Sequence, residues 1–356
     1  MERISVAPQH DEQLPDRRET SKTDPALVGR PSNVMRAIVQ DRYGPADVLE
    51  LRDISTPVPG DDELLLRVHA ASAFIGDWHV MTGLPYLGRI AFGLRAPKAR
   101  VRGQDVAGRI ETVGKDVTGF RPGDDVFGAC NGAFAEYATA AASKLAPKPA
   151  NLTYEQAATV ASTGCTALQA VRDRGKVLPD QEVLIVGAAG GVGSFAVQIA
   201  KAFGAHVTGV CSTTKVELVR SIGADDVIDY TREDFAASGK RYDVILDIAG
   251  ARSVSHLRRA LAPRGTLVIV GGESGGRWFG GIDRQLRAMV LSPFVGQRLG
   301  TFVGRTKAED LISLAELIED GKVTPLIDRS YPLQEVPDAM RYLEEGHARG
   351  KVVITI

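Results

Sequence analysis

Between residues 180 and 270 the apolar positions come in short unbroken runs, not in alternation with polar ones. The runs at 183–186, 206–210, 227–230, 244–247 and 266–270 predict strands. Continuous runs of this length fit parallel strands covered on both faces. After the first, the spacing changes to that of a helix over Ser194–Phe203, with Phe195, Ile199 and Phe203 four residues apart and Gly204 past its end. A second helix, Val216–Ile222, stops at Gly223. Strand and helix alternate, which predicts a doubly wound α/β unit with a parallel sheet. The flanking sequence has another texture. Short strands at 36–40, 63–70 and 108–113, divided by Gly and Pro turns, predict a β-rich barrel. A helical stretch, Tyr154–Val171, leads into the α/β unit. After Arg305 come amphipathic segments at Lys307–Glu319 and Val336–Glu345 and a last strand at Val352–Ile356. Residues 1–33 are too polar to form a core and predict a flexible N-terminal extension. They show no charged start followed by an apolar stretch, the mark of a secretory signal.

The turn after the first α/β strand carries the chemistry. Gly187, Ala188, Ala189, Gly190, Gly191 and Val192 lead directly into the helix. Small side chains let backbone approach a pyrophosphate, whose charge meets the N–H groups and positive dipole of the helix start. A dinucleotide is therefore expected here. At the end of the second strand, where NAD-specific folds place a carboxylate on the ribose hydroxyls, this chain has Cys211, Ser212, Thr213, Thr214 and Lys215. Hydroxyls and a cation there favour a 2′-phosphate, hence NADPH, and Tyr230 is placed to cover the adenine. Gly271 and Gly272, after the 266–270 strand, complete the expected nucleotide set with Thr166.

Composition narrows the remaining classes. The 356 residues are 44% hydrophobic and 24% charged with a net charge of −1, enough for two ordinary cores and no sign of a polyanion partner. No apolar stretch is long enough to span a bilayer. Cys130, Cys165 and Cys211 are too few and too widely spaced for a disulfide framework, so a reducing cytoplasm is the expected location.

The segments GQDVAGRIETVG at 103–114, RPGDDVFG at 121–128, GAFAEY at 132–137 and GKVVITI at 350–356, together with the glycine turn, resemble the medium-chain dehydrogenase/reductase superfamily in its zinc-independent, quinone-oxidoreductase-like branch. The resemblance covers about Val34 to Ile356. It implies a GroES-like catalytic domain built from 34–156 and 306–356, with a Rossmann NADP-binding domain, 157–305, inserted between. It also implies an NADPH-dependent reductase of an activated C=C bond (enone or enal) or a quinone, acting on a small hydrophobic substrate as a homodimer. The dimer contact is expected near the apolar strand Thr266–Val270.

Metal-dependent relatives hold catalytic zinc with a CxxD segment, a GHE segment and a later Cys or Glu. Here those segments read Phe74-Ile75-Gly76-Asp77 and Gly103-Gln104-Asp105, so the expected thiolate and imidazole are missing and no metal site is expected. Conjugate reduction does not need a Lewis acid, since hydride addition at the β-carbon spreads charge onto oxygen. The substrate pocket is expected to include Phe74, Asp77, Trp78, Trp278 and Phe279, the last two also readable as a dimer contact. His79 and Tyr86 are rival proton donors. Two other readings stay open: a non-redox biosynthetic enzyme such as a cyclase, and a nucleotide-binding sensor without turnover.

Overall fold

The computed structural model describes residues 33–271 and 276–356. The extension expected over 1–33 thus falls, except for Asn33, outside the described residues.

Six parallel strands form one sheet in the order Asp226–Asp229, His206–Cys211, Glu182–Val186, Tyr242–Asp247, Leu261–Ile269 and Arg298–Thr301. The first run shows why no polar residue interrupts these strands. Val183 and Ile185 belong to a core with Phe195 and Ile199 on one face, while Leu184 and Val186 belong to a second core with Leu257 and Ala288 on the other. Strand order reverses between Glu182–Val186 and Tyr242–Asp247, which opens a crevice at their C-terminal ends. The helix after the glycine turn runs Gly191–Ala202, one turn earlier than the spacing predicts, and Gly204 follows it at φ +83°. The strand Leu261–Ile269, which holds most of the run at 266–270, is second from the edge, because Arg298–Thr301 pairs with it on the outside.

The second sheet is organised by the eleven-residue strand Glu63–Ala73. It pairs antiparallel with Asp105–Val113, with Tyr137–Ala141 and with the C-terminal strand Lys351–Thr355, which in turn pairs parallel with Ile327–Pro332. One sheet thus joins the two ends of the chain around the parallel-sheet unit. The helical stretch expected over Tyr154–Val171 is broken into Tyr154–Ala158 and Ala161–Leu168, and then continues as a π-helix over Gln169–Gly175. No helix among the described residues is long and apolar enough to cross a membrane.

Candidate active site

The crevice at the strand-order reversal is a cavity of about 480 Å³ lined by Gly187, Ala189, Gly190, Gly191 and Val192 of the turn and by Ile248 and Ala249 after the neighbouring strand. Gly187 has φ +89°, a conformation that side chains resist, and a Cβ there would press on the Ala249 backbone at 3.0 Å. Ala188 lies beneath the loop, fully buried, and does not line the cavity. Gly190 bridges to Gly350, so the glycine turn is tied directly to the C-terminal segment of the other sheet. First-turn N–H groups of a helix lack intrahelical partners, and here they stand at the cavity wall.

At the far end of the same cavity stand Ser212, Lys215 and Tyr230. The Lys215 ammonium donates to the Ala348 carbonyl at 2.9 Å. Burial first, then the charge of Arg349, hold Lys215 below its ordinary pKa, with Asp328 opposing them. Thr213 does not join this group. Its hydroxyl is turned outward, donating to Asp229 at 2.5 Å. Arg252 and Lys351 also line the cavity, and among the described residues no Asp or Glu does. Neither cation was evident from sequence, since each is brought in from a segment with no motif pointing to a phosphate.

A second cavity of about 830 Å³ adjoins the first and shares with it Phe74, Ile75, Thr163, Val192 and Ile248. Its other walls include Val80, Phe92, Gln104, Val270, Gly271, Phe302 and Val303. Thr166 lines it, with its hydroxyl committed to the Ser162 carbonyl at 2.6 Å, as helix-interior threonines often are. Gln104, read from sequence only as a missing metal ligand, lines this cavity with no side-chain hydrogen bond among the described residues. His79 lines it too. Its Nδ1 faces the Leu84 carbonyl at 2.8 Å, which assigns the ring proton to that nitrogen, and burial lowers its pKa. The neutral ring therefore presents Nε2 as an acceptor, the opposite of the donor role expected for it.

Other expected pocket residues lie elsewhere. Tyr86 is off the cavity wall, packed edge-on to Trp278 with the guanidinium groups of Arg89 and Arg277 against its ring. Trp278 and Phe279 are 69% and 60% exposed on the outer surface. Gly272 lies outside the described residues. Trp78 packs against the barrel core. Asp77 is only 2% exposed and starts the helix Ile75–Thr82, accepting the Phe74 N–H at 3.2 Å. A short acidic side chain at a helix start looks the same in sequence whether it caps the helix or faces a substrate.

Burial, partly offset by Arg102, raises the Asp77 pKa from 3.8 to about 7. Between those values the folded chain binds more protons than the unfolded one, so stability is greatest in acid and is lost as pH rises toward 7. Asp77→Asn should remove that slope. Denaturant unfolding at pH 5 and pH 7.5 should show wild type losing about 2–3 kcal/mol relative to the variant. Parallel curves would contradict the assignment.

Between the two cavities lies a buried polar knot. Lys351 is 2% exposed and Asp105 0%, with Lys351 Nζ 3.4 Å from Asp105 Oδ2. Ser162 donates to Asp105 Oδ1 from both hydroxyl and backbone N–H, at 2.5 and 3.0 Å, and Ser72 donates to Oδ2 at 3.3 Å. Burial raises the carboxyl pKa and lowers the ammonium pKa, each partner opposing the other's shift. Lys351 Nζ also lies 5.2 Å from the centre of the Phe74 ring.

Two family models match this chain: the alcohol dehydrogenase GroES-like domain over residues 60–150 and the zinc-binding dehydrogenase domain over residues 222–354. The mitochondrial NAD(P)H oxidoreductase RTN4IP1 of Bos taurus is 35% identical across 97% of this chain and 93% of its own length. The chain belongs to the medium-chain dehydrogenase/reductase superfamily, in its quinone-oxidoreductase-like branch. Among other members of the superfamily, the 2-methylene-furan-3-one reductase of Solanum lycopersicum is 33% identical over 90% of this chain and 79% of its own length. The structure of the Escherichia coli quinone oxidoreductase complexed with NADPH superimposes with a TM-score of 0.76 at 25% identity, covering 90% of this chain and all of that one. One family model is named for zinc, but the residues here do not suit that ion. Phe74 offers a ring and Gln104 an amide, and Asp105 is engaged by Lys351 and the two serines. Among the described residues no three His, Cys, Asp or Glu side chains are gathered to hold a metal.

Proposed function

We propose that this protein is an NADPH-dependent, zinc-independent reductase of conjugated carbonyl compounds or quinones. The observation that carries the reading is the shared wall: a glycine-lined, cationic cavity adjoins an apolar one across Phe74, Val192 and Ile248, so ligands in the two can meet. The glycine turn would hold the pyrophosphate, and Lys215 with Ser212 the 2′-phosphate. When bound, the reduced nicotinamide supplies a hydride to the β-carbon of the double bond while a proton comes from solvent, leaving the substrate reduced and the nucleotide oxidised. The chain's own contribution is to position and polarise. Gln104 offers amide N–H groups to a substrate carbonyl, and Phe74, Phe92 and Phe302 exclude water around the reacting bond. The Ser162 and Thr166 hydroxyl protons are already donated within the protein, and His79 presents an acceptor.

NADPH preference rests on Lys215 and Ser212 at the cavity wall; burial and then the Arg349 charge hold the Lys215 pKa down, a strain that a dianion would relieve. Loss of the Lys215 cation should weaken NADPH binding on the order of tenfold to a hundredfold, and Lys215→Glu should weaken it further while leaving NADH little changed. Titration of both nucleotides against wild type and variant tests this. Equal wild-type affinity for the two, or equal loss of both, would overturn the placement.

A further inference from the structure

The substrate cavity has a chemical polarity that the reaction does not require. At its inner wall, shared with the nucleotide cavity, the residues are Phe74, Ile75, Val192, Ile248 and Thr163, whose hydroxyl is donated to the Thr159 carbonyl. At its solvent side stand Lys144 and Arg305, both exposed and both lining the cavity, and among the described residues no Asp or Glu lines it. Lys144 and Arg305 have neither an ion pair nor a side-chain hydrogen bond among the described residues. Two cations at one cavity, with no acid among the described residues of its wall, raise the local potential for an anion.

Arg305 is also held in place. The Gln169 side chain bonds both sides of its backbone, donating to the Arg305 carbonyl at 2.7 Å and accepting the Arg305 N–H at 3.2 Å. Gln169 is itself buried and donates to Asp310 at 2.6 Å, which in turn accepts from Arg172 at 2.7 Å. A buried network thus fixes the backbone from which the Arg305 guanidinium projects, while its charge is left uncompensated.

We infer that the substrate is an amphipathic conjugated carbonyl compound, its apolar reactive end against the Phe74 wall and an oxoanion, carboxylate or phosphate, held at the mouth by Lys144 and Arg305. The inference rests on the proposed reductase reading and specifies its substrate class. The 830 Å³ of the cavity holds far more than a minimal enone, leaving room for the connecting chain.

The test separates binding from turnover. Protein loaded with NADP⁺ is titrated calorimetrically with three saturated ketones of equal length, ending in a carboxylate, its methyl ester or a phosphate monoester. The matching enones are assayed with NADPH. The acids should bind at least about tenfold more tightly than the ester, and Lys144→Met with Arg305→Met should remove that advantage, bringing the acid-to-ester ratio to about one. A tighter phosphate than carboxylate, or the reverse, identifies which oxoanion the site prefers. Equal binding of acid and ester, or equal loss of both in the double variant, would overturn the inference. If the acids bind preferentially but no enone is reduced, the oxoanion site stands and the reductase reading falls; reduction of acid and ester enones alike with equal binding gives the converse.

Discussion

Gly193→Ala is expected to lower nucleotide affinity by at least about a hundredfold and to destabilise the fold by about 1–3 kcal/mol, the usual range for overpacking. The cause is backbone against backbone. A Cβ on Gly193 would sit 2.1 Å from the Gly187 carbonyl oxygen and 2.9 Å from Ala188, so either the turn or the helix must shift. Such a shift moves the N–H groups at the helix start away from the pyrophosphate, where their value depends on fixed geometry. Gly190→Ala is the control. At φ −82° any residue is comfortable, and the nearest atom to its Cβ is 3.5 Å away, so that variant should fold with wild-type stability yet bind nucleotide more weakly, because its methyl group enters the cavity wall. Thermal unfolding and nucleotide titration of both variants check the pair. Wild-type binding by Gly193→Ala would contradict the placement of the pyrophosphate.

Lys351→Met should be the more damaging change to stability, costing about 3–5 kcal/mol, because it strands the Asp105 carboxylate in a buried site with only hydroxyl and N–H partners. The double variant Lys351→Met, Asp105→Asn removes both charges and should recover most of that loss. Denaturant midpoints compared across the cycle give the coupling directly. A single-variant cost under about 1 kcal/mol would mean that the carboxyl is protonated in the folded protein and that the pair carries no charge. Lys351 also faces the nucleotide cavity, its Cδ 3.1 Å from where a Gly191 Cβ would stand. Nucleotide affinity should therefore stay reduced in the double variant even as stability returns, which distinguishes a role toward the ligand from a purely structural one.

The parts of this molecule that were legible in its sequence are those where local pattern and local geometry coincide. Val183–Val186 must be apolar throughout because alternate residues enter two different cores, and the glycines that follow must be small because backbone meets backbone there. The strand Arg298–Thr301 left no such trace. As an outer strand of four residues, with Arg298 exposed and one buried leucine, it lacks the apolar run that marks its neighbours. Asp105 and Lys351 are 246 residues apart, and only the pairing of Lys351–Thr355 with Glu63–Ala73 brings them together. Arg252, Lys144 and Arg305 are likewise ordinary cations in sequence and become significant through the cavity each one lines. The errors run the other way for Trp278, Phe279 and Tyr86, whose aromatic character suggests a pocket while the fold keeps them off its wall.

The central claim is hydride transfer to a carbon–carbon double bond without a metal. It is tested most directly by incubating chelator-treated protein with NADPH deuterated at the transferable C4 position and a simple enone, then locating the label in the product. The account predicts saturated ketone carrying deuterium at the β-carbon, formed at the same rate before and after chelation. Deuterium on the carbinol carbon of an unsaturated alcohol, or turnover that appears only when zinc is restored, would contradict it.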